Sequence, residues 1–177
     1  MTIIGLDLSL VKTGYTVLEN GKHVNSGLIK SKPNGDKPIH ELERLVNIVT
    51  EIEGLVDGAH LVVIENFAFM VRNTTALTQL AGLNYFVRFM LFRKSVPFVL
   101  VAPTSLKKFV CGKGNADKNL VMMEIFKQYN YSALDDNISD SYGLAVIGHA
   151  IMGESINKLT KPQQEVVDLV KTQLCYT

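Results

Sequence analysis

Apolar positions along the chain fall into two kinds of run. The stretch from Ile3 to about Ser9, Gly14-Tyr15-Thr16-Val17-Leu18, His23 to Ile29, Leu61 to Glu65 and Val96 to Val101 have the length and β-branched content of strands. Between the second and third lies Asn20-Gly21, the dipeptide that best tolerates two positive φ angles, so a type I′ hairpin is predicted there. The other runs have helical period. Ile39, Leu42, Leu45, Val46, Val49, Ile52 and Val56 recur on one side of an amphipathic helix, with Glu41, Glu43 and Glu51 on the other. A helix from about Thr75 to Lys94 carries apolar residues on more than one face and so needs two partners, the sheet and either a second subunit or another part of the domain.

Pro103-Thr104 opens a short helical segment with Leu106, Phe109 and Val110, and Gly112-Lys113-Gly114-Asn115 is irregular by composition. Helices are predicted from about Asp117 to Tyr129 and from Ser139 to Met152. Beyond Gly153, Pro162 followed by Val166, Val167, Leu169 and Val170 marks a small amphipathic helix. This order predicts an α/β fold, a mixed sheet with helices on both faces. The expected division is a main body over 1–153 and a C-terminal helical extension over 154–177.

Length and composition narrow the picture. At 177 residues, nearly half apolar, the chain supports one full core. A formal net charge of +1 means that a nucleic-acid partner has to be argued from where basic residues sit, not from bulk charge. Cys111 and Cys175 stand far apart in no metal-like spacing, and the N-terminus lacks a basic region with an apolar signal core, so free thiols in a reducing cytoplasm are expected. No apolar run approaches the roughly 20 residues of a membrane span, and no membrane partner is expected.

The candidate chemistry lies in carboxylates set against these apolar runs. Asp7 interrupts the first strand, Glu65 ends the fourth, and Asp135, Asp136 and Asp140 open the most helix-like late segment. A buried carboxylate is costly unless it is paired or holds a metal. Asp7 on a central strand and Glu65 at the carboxyl end of the next parallel strand stand where open α/β sheets place their sites. Asp136 and Asp140, four apart, share a face if the helix begins early enough to include both. Converging carboxylates raise one another's pKa, and hard divalent cations with oxygen ligands resolve the conflict. Lys107, Lys108, Lys113 and Lys118 cluster round the glycine loop between the acidic elements, and read there as a phosphate-binding edge. Phe67 and Phe69, in the loop after the fourth strand, are candidates for stacking on bases.

Ile4-Gly5-Leu6-Asp7-Leu8-Ser9 with Thr13-Gly14-Tyr15, then Val63-Ile64-Glu65, Phe69-Met70-Val71-Arg72-Asn73, Val101 to Lys108, and Asp140 with Leu144-Ala145-Val146 resemble, in order and spacing, the RuvC family of Holliday-junction resolvases. The resemblance implies a ribonuclease-H-like five-stranded mixed sheet, a homodimer, and magnesium-dependent nicking of paired strands at a DNA four-way junction, with two ions per site and manganese as a substitute. It makes Asp7, Glu65 and Asp140 metal carboxylates, Phe69 the aromatic that probes bases near the crossover with Arg72 beside it, and Lys107 and Lys118 the lysines nearest the scissile phosphate. Two features depart from the family pattern. The residue three before Asp140 is Asn137, which makes Asp136 the fourth-ligand candidate with Asp135 behind it, a spacing similar to phage-type relatives. Glu65 and Phe69 are also one residue further apart than the bacterial pattern, which bears on junction selectivity.

Two readings from other classes compete. Asp7 to Gly14 also resembles the phosphate hairpin of actin-like and sugar-kinase-like ATPases, but the chain is short for that fold and has no second Asp-Gly phosphate loop. A junction-binding protein that does not cut leaves four carboxylates without a use.

Overall fold

The computed structural model describes residues 1–67 and 74–174. Its elements are β1 (Thr2–Asp7), β2 (Lys12–Glu19), β3 (Lys22–Lys30), α1 (Pro38–Leu55), β4 (Leu61–Glu65), α2 (Thr74–Arg93), β5 (Phe98–Val101), α3 (Pro103–Cys111), α4 (Lys118–Tyr129), α5 (Asp136–Ile151) and α6 (Lys161–Lys171). One five-stranded sheet runs in the order β3-β2-β1-β4-β5. Its first three strands are antiparallel, joined at Asn20 and Gly21 with φ of 50° and 76°, the predicted I′ turn. β4 and β5 extend the sheet in parallel with β1. The mixed sheet covered on both faces is thus as the sequence predicts.

Strand alternation divides the core in two. Ile4, Leu6, Val62 and Ile64 face α1 and α2, with Leu45, Ile48, Ile52, Leu83, Val87 and Leu91. Ile3, Leu61, Val63, Val99 and Val101 face the other way, onto α3 to α6, packing with Leu106, Phe109, Ile125, Leu144, Ala145 and Ile147. The extension joins this second core, because α6 buries Val166, Val167 and Val170 in it. Beyond α6, the Gln173 amide pairs with both the N–H and the C=O of Leu100, at 2.9 and 2.8 Å, satisfying a backbone position on the edge strand.

Two expectations shift. α5 begins at Asp136, a turn before the predicted Ser139, because the Asp135 side chain accepts from the Asn137 N–H at 3.0 Å and caps the helix. α1 does not bury the whole apolar stripe. Ile39, Leu42 and Val46 are about half exposed, and Ile48 takes a core position instead. The same is true of α2, where Tyr85, Phe86, Phe89 and Phe92 reach solvent, Phe92 with 76 % of its surface. The predicted second face of this helix is present, and α1 continues it.

Candidate active site

Period-two alternation aims the first two carboxylates. Asp7 has the parity of Ile3 and Gly5, and Glu65 that of Leu61 and Val63, so both point from adjacent parallel strand ends towards α5. Gly5 lets that helix come close. A Cβ at Gly5 would lie against the Ser141 carbonyl oxygen and 2.6 Å from the Ala145 nitrogen. Gly14, cross-strand from Asp7, is likewise in contact with the Asn137 backbone, whose carbonyl carbon would stand 2.5 Å from an added Cβ. Asp140 is thereby brought to the strand ends. The turn after Asp7 is fixed by Thr13, whose hydroxyl donates to the Ser9 carbonyl (2.8 Å) and accepts from the Ser9 N–H (3.0 Å). The Asn137 amide donates to the Lys12 carbonyl at 2.6 Å, and the Thr16 and Ser141 hydroxyls pair at 2.8 Å, tying β2 to α5.

Asp7, Glu65 and Asp140 lie close enough to act on one another electrostatically. Burial, then the charges of Glu65 and Asp140, push the Asp7 carboxyl well above the usual carboxylate range; only 9 % of the residue is exposed. Glu65 is pushed up to about 7 by burial and then by the charge of Asp140, although it accepts a hydrogen bond from Asp7. Asp140 rises to about 6, again mainly through burial. Lys118 acts against all three shifts, and Lys107 against those of Glu65 and Asp140, without cancelling them. Asp136 behaves differently. Its carboxylate is paired with the Lys118 ammonium and lies below the usual range for that reason, with Lys118 raised in turn.

The structure thus brings together Asp7, Glu65, Asp136, Asp140, Lys107 and Lys118. Lys108 turns away to Glu165 on α6, with Nζ and carboxylate 2.6 Å apart, and Lys113 stands in the loop between α3 and α4. Asp135 caps α5 and pairs with Lys12 at 3.2 Å. Phe69 and Arg72 lie outside the described residues. The sequence names Gly5, Gly14, Thr13 and Asn137 without giving them a structural role; the signal for the glycines is their placement on otherwise apolar strands beside the acidic position.

This donor set fits hard cations: oxygen ligands, mostly buried, repelling one another and under-compensated by lysine. It is gathered but not closed. Among the described residues no three Asp, Glu, His or Cys side chains already stand in ligating positions. Asp7 and Glu65 are bonded to each other and Asp136 to Lys118, so ligation requires these side chains to exchange partners.

Residues 3–149 match the family described as crossover junction endodeoxyribonuclease RuvC. The chain belongs to the RuvC family. Among curated relatives, RuvC of Prochlorococcus marinus (strain MIT 9303) is 27 % identical over 157 residues, covering 84 % of this chain and 97 % of that protein. RuvC of Synechococcus sp. (strain WH7803) is 28 % identical with the same coverage. Thermus thermophilus RuvC shares the fold, with a TM-score of 0.71 at 20 % identity over 87 % of this chain and 98 % of that one. The RuvC-matched span ends within α5, so α6 lies outside it.

Proposed function

We infer that this RuvC-family protein is a structure-selective, metal-dependent endodeoxyribonuclease that resolves DNA four-way junctions by hydrolysing phosphodiesters symmetrically in two strands. The observation that carries this reading is the cluster of Asp7, Glu65 and Asp140, buried or half-buried at the carboxyl ends of β1 and β4 and on the facing α5, with all three acids raised. Thermus thermophilus RuvC with a Holliday junction substrate has the same fold, at a TM-score of 0.71 and 17 % identity.

Asp7, Glu65 and Asp140 would hold divalent cations, magnesium in this proposal and two per site, with Asp136 as the fourth ligand once it leaves Lys118. Bound there, such ions acidify water and stabilise charge on the phosphate and the leaving 3′ oxygen. The chain's own contribution is placement. β1 and β4 fix two carboxylates at one strand end, and α5 supplies the others on one face. Lys118 exchanges Asp136 for the scissile phosphate, and Lys107 approaches from α3. Their charges favour a transition state more negative than the substrate.

Two symmetric cuts call for two sites at fixed separation, which a two-fold dimer provides. The exposed apolar face of α1 and α2 supports a homodimer. Ile39, Leu42, Val46, Phe86, Phe89 and Phe92 stand on it, and a groove of about 430 Å³ between Val46, Val49, Phe86 and Phe89 gives it relief.

Incubation with labelled four-way junction, linear duplex or ATP, each with and without magnesium, tests the reading. Magnesium-dependent symmetric nicks in the junction are expected. Hydrolysis of ATP, or binding of junctions without cleavage, would overturn it.

A further inference from the structure

The lysines considered so far lie on one side of the carboxylates, on α3, α4 and the loop between them. The sheet places a second basic group on the other side. β2 and β3 run antiparallel to and from β1, so Lys12 at the start of β2 and Lys30 at the end of β3 pair across strands at the same sheet end as Asp7. Lys32 follows immediately. Together they form a lip two strands from the acidic cluster, about 10 Å at a strand spacing of ~4.8 Å.

This lip is fastened down. The Ser31 N–H donates to the Val11 carbonyl at 3.0 Å. Arg44 reaches up from α1, donating through Nε to the Ser31 hydroxyl at 2.9 Å and through its other guanidinium nitrogen to the Leu10 carbonyl. One buttress therefore holds the loop after β3 against the turn that follows Asp7. Beside it opens a cleft of about 550 Å³ lined by Lys30, Ser31, Lys32, Asn34, Arg44 and Asn47; its two carboxylates, Glu43 and Glu51, both belong to α1.

Ion pairing separates these lysines from their neighbours. Lys12, Lys108 and Lys118 are each held by a carboxylate. Lys30 and Lys32 are exposed, and among the described residues no carboxylate pairs with either. Unpaired ammonium groups thus flank the acidic cluster on both sides, Lys107 and Lys113 on one and Lys30 and Lys32 on the other. A nucleic-acid strand carries a charged phosphate at every nucleotide, so a lip two strands from the carboxylates stands where phosphates close to a scissile one would pass.

We propose that the lip formed by Lys30 and Lys32, held by Arg44, is a second phosphodiester-backbone site that grips the DNA a few phosphates beyond the point of cleavage. This rests on the nuclease reading above and adds the track that the substrate follows away from the metal carboxylates. Phosphate contacts of this kind set register and carry no sequence information.

The test is junction binding by the full-length chain over a salt series, with ethylation interference to map the phosphates in contact. Each lost phosphate contact lowers the slope of log K against log salt by about one unit, so Lys30→Ala/Lys32→Ala should lower it by about two. Lys161→Ala/Lys171→Ala, which removes the same charge from α6, should leave it unchanged, and Lys30→Arg/Lys32→Arg should keep the wild-type slope. Interference should disappear at phosphates on one side of the scissile position only. A wild-type slope in the Lys30→Ala/Lys32→Ala chain, or an equal loss in the α6 control, overturns the proposal while the nuclease reading stands. Failure of the wild-type chain to bind junctions overturns both.

Discussion

Asp7 illustrates how an active site sets function against stability. With Glu65 and Asp140 it binds protons in the folded state at pH values where the unfolded chain has released them. For a raised carboxyl pKa, the stabilising contribution is complete below the unfolded value near 4 and is lost as pH rises through the folded value, about 6 for Asp140 and about 7 for Glu65. His149 acts in the opposite direction. Burial lowers its pKa, so stability is lost as pH falls below the ordinary histidine value. A difference between variants isolates the carboxylates. In chelator at pH 8, Asp7→Asn should melt about 4 °C or more above wild type, and the gap should close towards pH 5. Equal melting temperatures at pH 8 would show that the cluster is not under electrostatic strain.

The lysines divide at the same scale. Lys107→Ala and Lys118→Ala should lower the single-turnover rate at saturating enzyme by roughly 10²-fold, as loss of a transition-state contact does. Lys113→Ala should instead lower the salt slope of binding by about one. Lys108 was expected to act as Lys113 does, but it is engaged by Glu165. Sequence shows a lysine and its position on a helix; it does not show an acidic partner 57 residues away on α6.

Among the elements, α5 decides whether a site exists. Its approach depends on Gly5, and a methyl group there meets the backbone of Ser141 and Ala145, which has no side-chain freedom to move aside. Gly5→Ala should cost about 3 kcal/mol in denaturant unfolding and lower cleavage in the fraction that remains folded. Wild-type stability and activity would mean that α5 has room to shift. The strands, the hairpin and the amphipathic helices could be read from period and turn chemistry, because those signals are local. α5 starts a turn before its apolar pattern does, because the Asp135 side chain accepts from the Asn137 N–H, a contact that leaves no mark in the hydrophobic period. The pairing of Asp7 with Glu65 could be read from their places at neighbouring parallel strand ends, whereas Asp140, on a helix, joined them only through the family resemblance. The partner exchange between Asp136 and Lys118, and the buttress from Arg44, join residues distant in sequence and had no local signal.

For the whole molecule, α1 and α2 share an apolar face that one copy leaves exposed. Exposed Phe89 and Phe92 have solvent as their alternative to a partner, and burying such side chains stabilises by about 1.5–3 kcal/mol each. Sedimentation velocity at micromolar concentration should give a dimer, and Phe89→Glu should give a monomer that no longer cuts both strands in concert. A wild-type monomer that makes paired cuts would refute the dimer.

The central claim, that a strand-end carboxylate cluster drives hydrolysis on bound DNA, is tested most directly by Asp140→Asn. This change keeps the side chain's shape, removes its charge and leaves every lysine in place. Single-turnover junction cleavage in magnesium should fall at least 10³-fold relative to wild type, with the junction dissociation constant within about threefold. Cleavage at the wild-type rate by Asp140→Asn would contradict the account.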